Sequence, residues 1–101
     1  MNNKLIEKDK IEILCMDSYE AEKLASIFSK QKDGSTFVSE IVKIIDVEIV
    51  VKLKDGSHHS IMLRNAENAA KLQHFFNLIT QTNSTVLHTE HEFDKAIFYR
   101  A

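Results

Sequence analysis

The chain has 101 residues, of which 44% are hydrophobic and 28% charged, and its net charge is −2. This is the composition of one ordinary globular domain, residues 1–101, and the slight acidity argues against nucleic acid or an anionic membrane as the partner. The single cysteine, Cys15, excludes an internal disulfide. Because no apolar stretch is long enough to span a bilayer and the acidic start does not resemble a signal peptide, we expect a cytosolic protein.

The first half of the chain begins with the pattern of a strand followed by a helix. Residues 10–16 place alternate apolar side chains on one face, as a half-buried strand does. Asp17 is a predicted N-cap, and Glu20 three positions later completes a capping box. The helix is predicted over 18–31, with Gly34 as the left-handed residue that stops it.

Two strands and a tight hairpin follow. Residues 36–45 and 47–54 are rich in Val, Ile and Thr and predict strands with a bend or bulge near Asp46. One long bent strand is the alternative. Asp55-Gly56 between apolar runs is a strong hairpin signal, and it predicts a return strand over 58–64.

The second half repeats this order. Asn65 is a second N-cap, a helical pattern runs from there to a break at Thr82-Asn83, and residues 84–89 and 95–100 predict two more strands. Each helix carries an apolar stripe that should face the core. The stripe residues are Ala21, Leu24, Ala25, Ile27 and Phe28 in the first helix and Ala69, Leu72, Phe75, Phe76 and Ile79 in the second.

The two halves resemble each other at an offset of 48 residues. Residues 6–53 and 54–101 share eight identities in 48 ungapped positions, against roughly three expected by chance. One βαββ unit cannot bury its sheet face and its helix stripe alone, so two units must share a core. We therefore predict an α+β fold in which two similar βαββ halves form one mainly antiparallel sheet of five or six strands, with two helices on one face. The helices should pack through Leu24, Phe28, Leu72 and Phe76.

This paired order resembles, in broad outline, the βαβββ modules of the vicinal-oxygen-chelate (glyoxalase-like) folds. The resemblance implies metal ligands on strands inside a cupped sheet, but each half here is one strand short and no ligand set recurs at corresponding positions. His88 and His91, with Glu90 and Glu92, are the metal candidates. Their i, i+3 spacing on a predicted strand end and loop favours a solvated polar loop, and no metal or cofactor is expected.

No catalytic motif is present in the sequence. Cys15 lies in the middle of an apolar strand, where a free cysteine acts as a small hydrophobe rather than a nucleophile. His58 and His59 are adjacent on a strand and face opposite sides, so they cannot share a metal. With two glycines the chain has no Gly-rich phosphate loop. We therefore expect a protein that is not an enzyme.

Segment 88–94 differs most in character from its counterpart in the first half. It reads His-Thr-Glu-His-Glu-Phe-Asp, whereas residues 40–46 read as an apolar strand that serves the core. An exposed aromatic side chain inside an acidic rim is suited to a basic protein partner. A drifted surface loop without a role is the alternative. The predicted partner-binding residues are Glu90, His91, Glu92, Phe93 and Asp94.

These features predict a small non-catalytic protein-binding domain, most concretely an inhibitor or immunity protein that occludes a toxin or nuclease. The alternatives are a glyoxalase-like protein with a pocket for a small molecule or metal, and a dimeric regulatory subunit. A homodimer through the free sheet face is expected because the strands carry more apolar residues than two helices can cover. Those residues are Val42, Ile44, Ile49, Val51 and Ile61.

Overall fold

The computed structural model describes residues 10–29, 36–81 and 86–100. Within these ranges the element order is β-α-β-β followed by β-α-β-β, as the sequence predicts. The elements are β1 (Lys10–Leu14), α1 (Ser18–Ile27), β2 (Val38–Ile45), β3 (Glu48–Leu53), β4 (His58–Met62), α2 (Ala66–Gln81), β5 (Val86–Glu92) and β6 (Lys95–Arg100). The fold class is therefore α+β. No helix in the described ranges is long and apolar enough to cross a bilayer.

The strands form two antiparallel three-stranded sheets, in the orders β1-β6-β5 and β2-β3-β4. The predicted single sheet of five or six strands is therefore wrong. An isolated bridge between Cys15 and Leu63 is where the two sheets touch. Beside this bridge the backbone N–H of Leu14 donates to the side chain of Asn68, and that of Met62 donates to the side chain of Glu20. Because side chains accept these bonds instead of a neighbouring strand, the pairing of β1 with β4 stops after one bridge.

The first strand of each half pairs with the last strand of the other half. β1 lies against β6, and β4 lies against β3. At the bridge, Met16 N donates to Met62 O over 3.0 Å and Arg64 N donates to Leu14 O over 3.0 Å. The donors are 48 residues apart, and so are the acceptors. The bonds around the bridge therefore come in pairs at the offset found in the sequence.

Helix α1 begins where the sequence predicts and ends earlier. The carboxylate of Asp17 accepts from the backbone N–H of Glu20 over 2.9 Å, as an N-cap does. The predicted capping box is incomplete, because the Glu20 carboxylate turns away to accept from Met62. The helix stops at Ile27, and the buried Phe28 is its C-cap. Gly34, the predicted stop, lies outside the described residues.

One hydrophobic core joins both helices and both sheets. All ten predicted stripe residues of the helices are buried. The ring of Phe28 lies 6.1 Å from that of Phe76 and 5.3 Å from that of Phe98, so α1, α2 and β6 meet at this side chain. The predicted contact residues Leu24 and Leu72 are fully buried in the same cluster. Burying side chains of this size supplies most of the stabilisation of such a fold, on the order of 1.5–3 kcal/mol each.

The turns between strands follow local chemistry. Gly56 has φ +93°, a value that glycine adopts without strain, and the hairpin predicted at Asp55-Gly56 is confirmed. Asp46 has φ 56° and lies in a second hairpin turn, between β2 and β3. The alternative of one long bent strand is therefore wrong.

The apolar strand residues are distributed differently from the expectation. Ile49, Val51 and Ile61 are fully buried and face the helices, whereas Val42 and Ile44, on the outermost strand β2, are 41% and 39% exposed. The free faces of the sheets carry charges instead, since residues that alternate with the buried ones point away from the core. The excess apolar surface thus lies at a sheet edge, whereas the homodimer expectation placed it on a sheet face.

Candidate functional site

The five predicted partner-binding residues lie together at one end of the β5–β6 hairpin. We call Glu90, His91, Glu92, Phe93 and Asp94 the tip segment. The sequence predicts that β5 stops at residue 89, but the strand continues through Glu92 because each residue up to there has a register partner on β6. The hairpin turn is therefore short, Phe93-Asp94, and the predicted loop is mostly strand.

Phe93 occupies an unusual position for an aromatic residue. Its side chain is 81% exposed, and its φ is 55°. A positive φ at the first central position of a two-residue hairpin favours glycine, and an L-residue there costs roughly 1–2 kcal/mol. Because the exposed ring contributes little packing, the stability of the fold does not explain why Phe is found at this position. Its predicted exposure is confirmed.

The three acids of the tip segment differ in their contacts. Glu90 accepts a hydrogen bond from the Tyr99 hydroxyl over 2.7 Å. Glu92 lies 3.9 Å from the Lys95 ammonium, and Asp94 forms an ion pair with an Arg64 guanidinium nitrogen. The acidic rim is therefore present but partly compensated.

The tip segment continues into a shallow polar groove on the free face of the first sheet. Glu90 lies opposite Ile97 and Glu92 opposite Lys95 in the strand register, so both carboxylates point to that face. His91 lies opposite the buried Ala96 and alternates to the other side. Lys10 and Lys95 each approach Glu12 to 3.6 Å, so positive and negative groups alternate across the groove. The groove is lined by Lys10, Glu12, Glu90, His91, Glu92, Lys95, Ile97 and Tyr99.

The histidines and the cysteine offer little chemistry. His88 contacts the ring of Tyr99, with centroids 5.5 Å apart, and lies 3.9 Å from a Glu90 carboxylate oxygen. In the described part of the chain, no three His, Cys, Asp or Glu side chains come close enough together to hold a metal ion. Burial, followed by the carboxylates of Glu20 and Asp17, raises the pKa of the Cys15 thiol to about 12. Cys15 is therefore protonated at neutral pH and is not a nucleophile.

The counterpart of the tip segment in the first half is also exposed. Most of β2 faces solvent, and Ile45 is 53% exposed. The expectation that residues 40–46 serve the core, with Ile45 as a core residue, is therefore wrong. β2 is an edge strand that contacts the sheet through β3 alone in the described ranges, and this explains its exposure.

Three residues around the tip segment were not predicted from the sequence. Arg64, Lys95 and Tyr99 bind its acids, and they come from the end of β4 and from β6. Their positions depend on strand register, which composition and spacing do not reveal. For Tyr99 the alternation of the last strand would have indicated the face, since Phe98 beside it is apolar and buried.

Comparisons of the chain with models of protein families, with curated proteins and with solved structures gave no significant match.

Proposed function

We propose that this chain is a protein-binding domain without catalytic activity and that the tip segment is its contact surface. The observation that carries the proposal is the conformation of Phe93, an aromatic side chain held 81% exposed at φ 55°. Aromatic residues are enriched among the residues that dominate binding energy. A residue that strains the backbone without packing against the core is the kind retained for contact with a partner.

The charges beside Phe93 favour a basic partner. Glu90 and Glu92 present exposed carboxylates on the side of the hairpin next to the ring, and Asp94 keeps one ion pair with Arg64. Such rim charges mainly raise the rate of association, whereas a buried aromatic anchor governs dissociation. The most concrete form of the proposal is an inhibitor or immunity protein that occludes a toxin or nuclease.

The test is capture of a partner from the native host by the protein and by two matched variants. Phe93→Ala removes the proposed anchor, and Tyr19→Ala removes another exposed aromatic side chain, 66% exposed on helix α1. Wild type and Tyr19→Ala should retain the same partner, and Phe93→Ala should lose it. Equal capture by all three proteins would contradict the proposal.

We also propose that the two halves descend from one βαββ unit and that the protein works in the cytosol. Paired hydrogen bonds at an offset of 48 residues support the first proposal, among them Met16 N to Met62 O and Arg64 N to Leu14 O. The single cysteine, buried and reduced, supports the second.

A dimeric regulatory subunit is the second candidate function. The exposed apolar residues of β2 favour it, since monomeric proteins seldom leave such residues grouped on an unpaired strand.

A further inference from the structure

Strand β2 is the outer strand of the second sheet, and its exposed side chains are unusually apolar. Val42, Ile44 and Ile45 lie within four successive positions and are 41%, 39% and 53% exposed. Among the residues that the structure describes, β3 is the one strand that pairs with β2. An edge strand of this kind has unpaired backbone groups that can accept another strand.

The outer strand of the first sheet shows the contrast. β5 exposes His88, Glu90, His91 and Glu92, and charged side chains of this type protect an edge from pairing. In β2, by comparison, the charged residues are Glu40 and Lys43, one of each sign. The two edges are therefore not equivalent, and β2 is the one suited to pairing.

The register of β2 on β3 shows which side chains of β2 share a face. Glu40 lies opposite Lys52 and Lys43 opposite Val50, which places both charges on the face away from the core. Ile41 lies opposite Val51 and Ile44 opposite Ile49, which are both fully buried, so Ile41 and Ile44 share the other face. The two register shifts fall between these pairs and leave Ser39 and Val42 outside the ladder.

We propose that β2 pairs antiparallel with β2 of a second copy of this chain, in a register centred on Ile41. In that register Glu40 of each copy lies opposite Lys43 of the other, so two Glu–Lys pairs form across the interface. On the opposite face Ile41 meets its own counterpart, and Val38 meets Ile44. Directly opposed residues of paired strands must share a face, and this register satisfies that condition at all of these positions.

The choice of a second copy follows from this self-complementarity. A twofold interface uses the same patch on both partners, so a strand must attract its own reversed copy. Centring the pairing on Lys43 would place two lysines face to face, which is unfavourable. The register centred on Ile41 avoids this repulsion and extends each three-stranded sheet into one of six strands.

The test is reversal of the two charges, singly and together. Both side chains are exposed, so Glu40→Lys and Lys43→Glu should fold normally. Each single reversal turns two attractive pairs into two repulsive ones and should raise the dimer dissociation constant at least about tenfold. The double variant restores both pairs in reverse and should dimerise within about threefold of wild type. Sedimentation velocity over a range of concentrations measures all four proteins.

Glu90→Lys is the matched control, because it reverses an exposed charge on the other edge strand. It should leave the dimer unchanged. A wild-type protein that stays monomeric at high micromolar concentration would overturn the proposal. So would a dimer that is indifferent to the single reversals, or one that the double variant does not restore. None of these outcomes bears on Phe93, so the partner-binding proposal stands or fails separately.

Discussion

The backbone N–H of Leu14 donates over 2.8 Å to the side-chain oxygen of Asn68, a residue 54 positions away. Asn68 is 4% exposed and also donates to the N-cap residue Asn65 over 2.7 Å, so its amide links the start of α2 to β1. Glu20 has the same role toward Met62. These two side chains satisfy the N–H groups at the junction of the sheets.

Asn68→Ala should therefore destabilise the protein. It leaves the Leu14 N–H without its partner in a partly buried site, which costs about 1–3 kcal/mol. Asn77→Ala is the control, since Asn77 lies on the same helix and its hydrogen bond with Gln73 is exposed. The control should change stability by less than about 0.5 kcal/mol. Urea denaturation measures both, and equal stabilities would contradict the role assigned to Asn68.

Replacing Phe93 should not harm the fold. Phe93→Gly removes the cost of a positive φ and should raise the free energy of unfolding by roughly 1 kcal/mol. Phe93→Ala should leave the melting temperature nearly unchanged while weakening binding of the partner by more than about 1 kcal/mol. Phe98→Ala serves as the contrast, because Phe98 is fully buried and its loss should cost about 3–5 kcal/mol. A large drop in melting temperature for Phe93→Ala would argue against a contact role.

Leu72→Ala should create a cavity at the centre of the core. Leu72 is fully buried in the cluster shared by both helices, and truncating such a leucine costs about 2–5 kcal/mol. Lys71→Ala, an exposed neighbour on α2, should change stability by less than about 0.5 kcal/mol. The midpoint and slope of urea unfolding separate a loss of stability from a change in the unfolded state. If both variants matched wild type, the core assignment would be wrong.

Cys15 should make stability fall in alkaline solution. The pKa of its thiol is about 12 in the folded protein and close to the model value of 9.0 in the unfolded chain. Above about pH 9 the unfolded chain loses a proton that the folded protein keeps, so the contribution of the thiol is complete below that pH and declines toward pH 12. The slope is about 1.4 kcal/mol per pH unit.

Cys15→Ala lacks this thiol and provides the comparison. The difference in unfolding free energy between wild type and Cys15→Ala should shrink by about 1 kcal/mol between about pH 8 and pH 10. Taking the difference cancels the titration of lysines and tyrosines common to both proteins. A difference that stays constant over this range would show that the thiol pKa is not raised.

Local features of the fold could be predicted from the sequence because they depend on neighbouring residues. The apolar stripes of both helices recur at helical spacing, and Asp17 and Asn65 cap helices through bonds to residues three positions ahead. The sheet arrangement could not be predicted in the same way. It depends on Glu20 and Asn68 reaching across the chain, and nothing in their own segments indicates those partners.

The candidate site was predicted in part for a similar reason. The exposure of Phe93 follows from its position among acids, but its comparison with Ile45 was misplaced by one residue. Asp46 and Phe93 share a positive φ and lie 47 positions apart, whereas the strands that pair at the bridge align at 48. An ungapped alignment cannot follow this change of offset, and it matched a turn residue with a strand residue.

The pairing of β1 with β6 has a consequence for synthesis of the protein. Residues 10–14 acquire their hydrogen-bonding partners only when residues 95–99 are available, and β3 likewise waits for β4. During translation the nascent chain can form α1 and the β2–β3 hairpin, but Ile13 and Phe28 remain without Phe98 until nearly the whole sequence has left the ribosome. Such nonlocal pairing is slow and leaves apolar surface open to aggregation, so we expect folding to be completed mainly after synthesis.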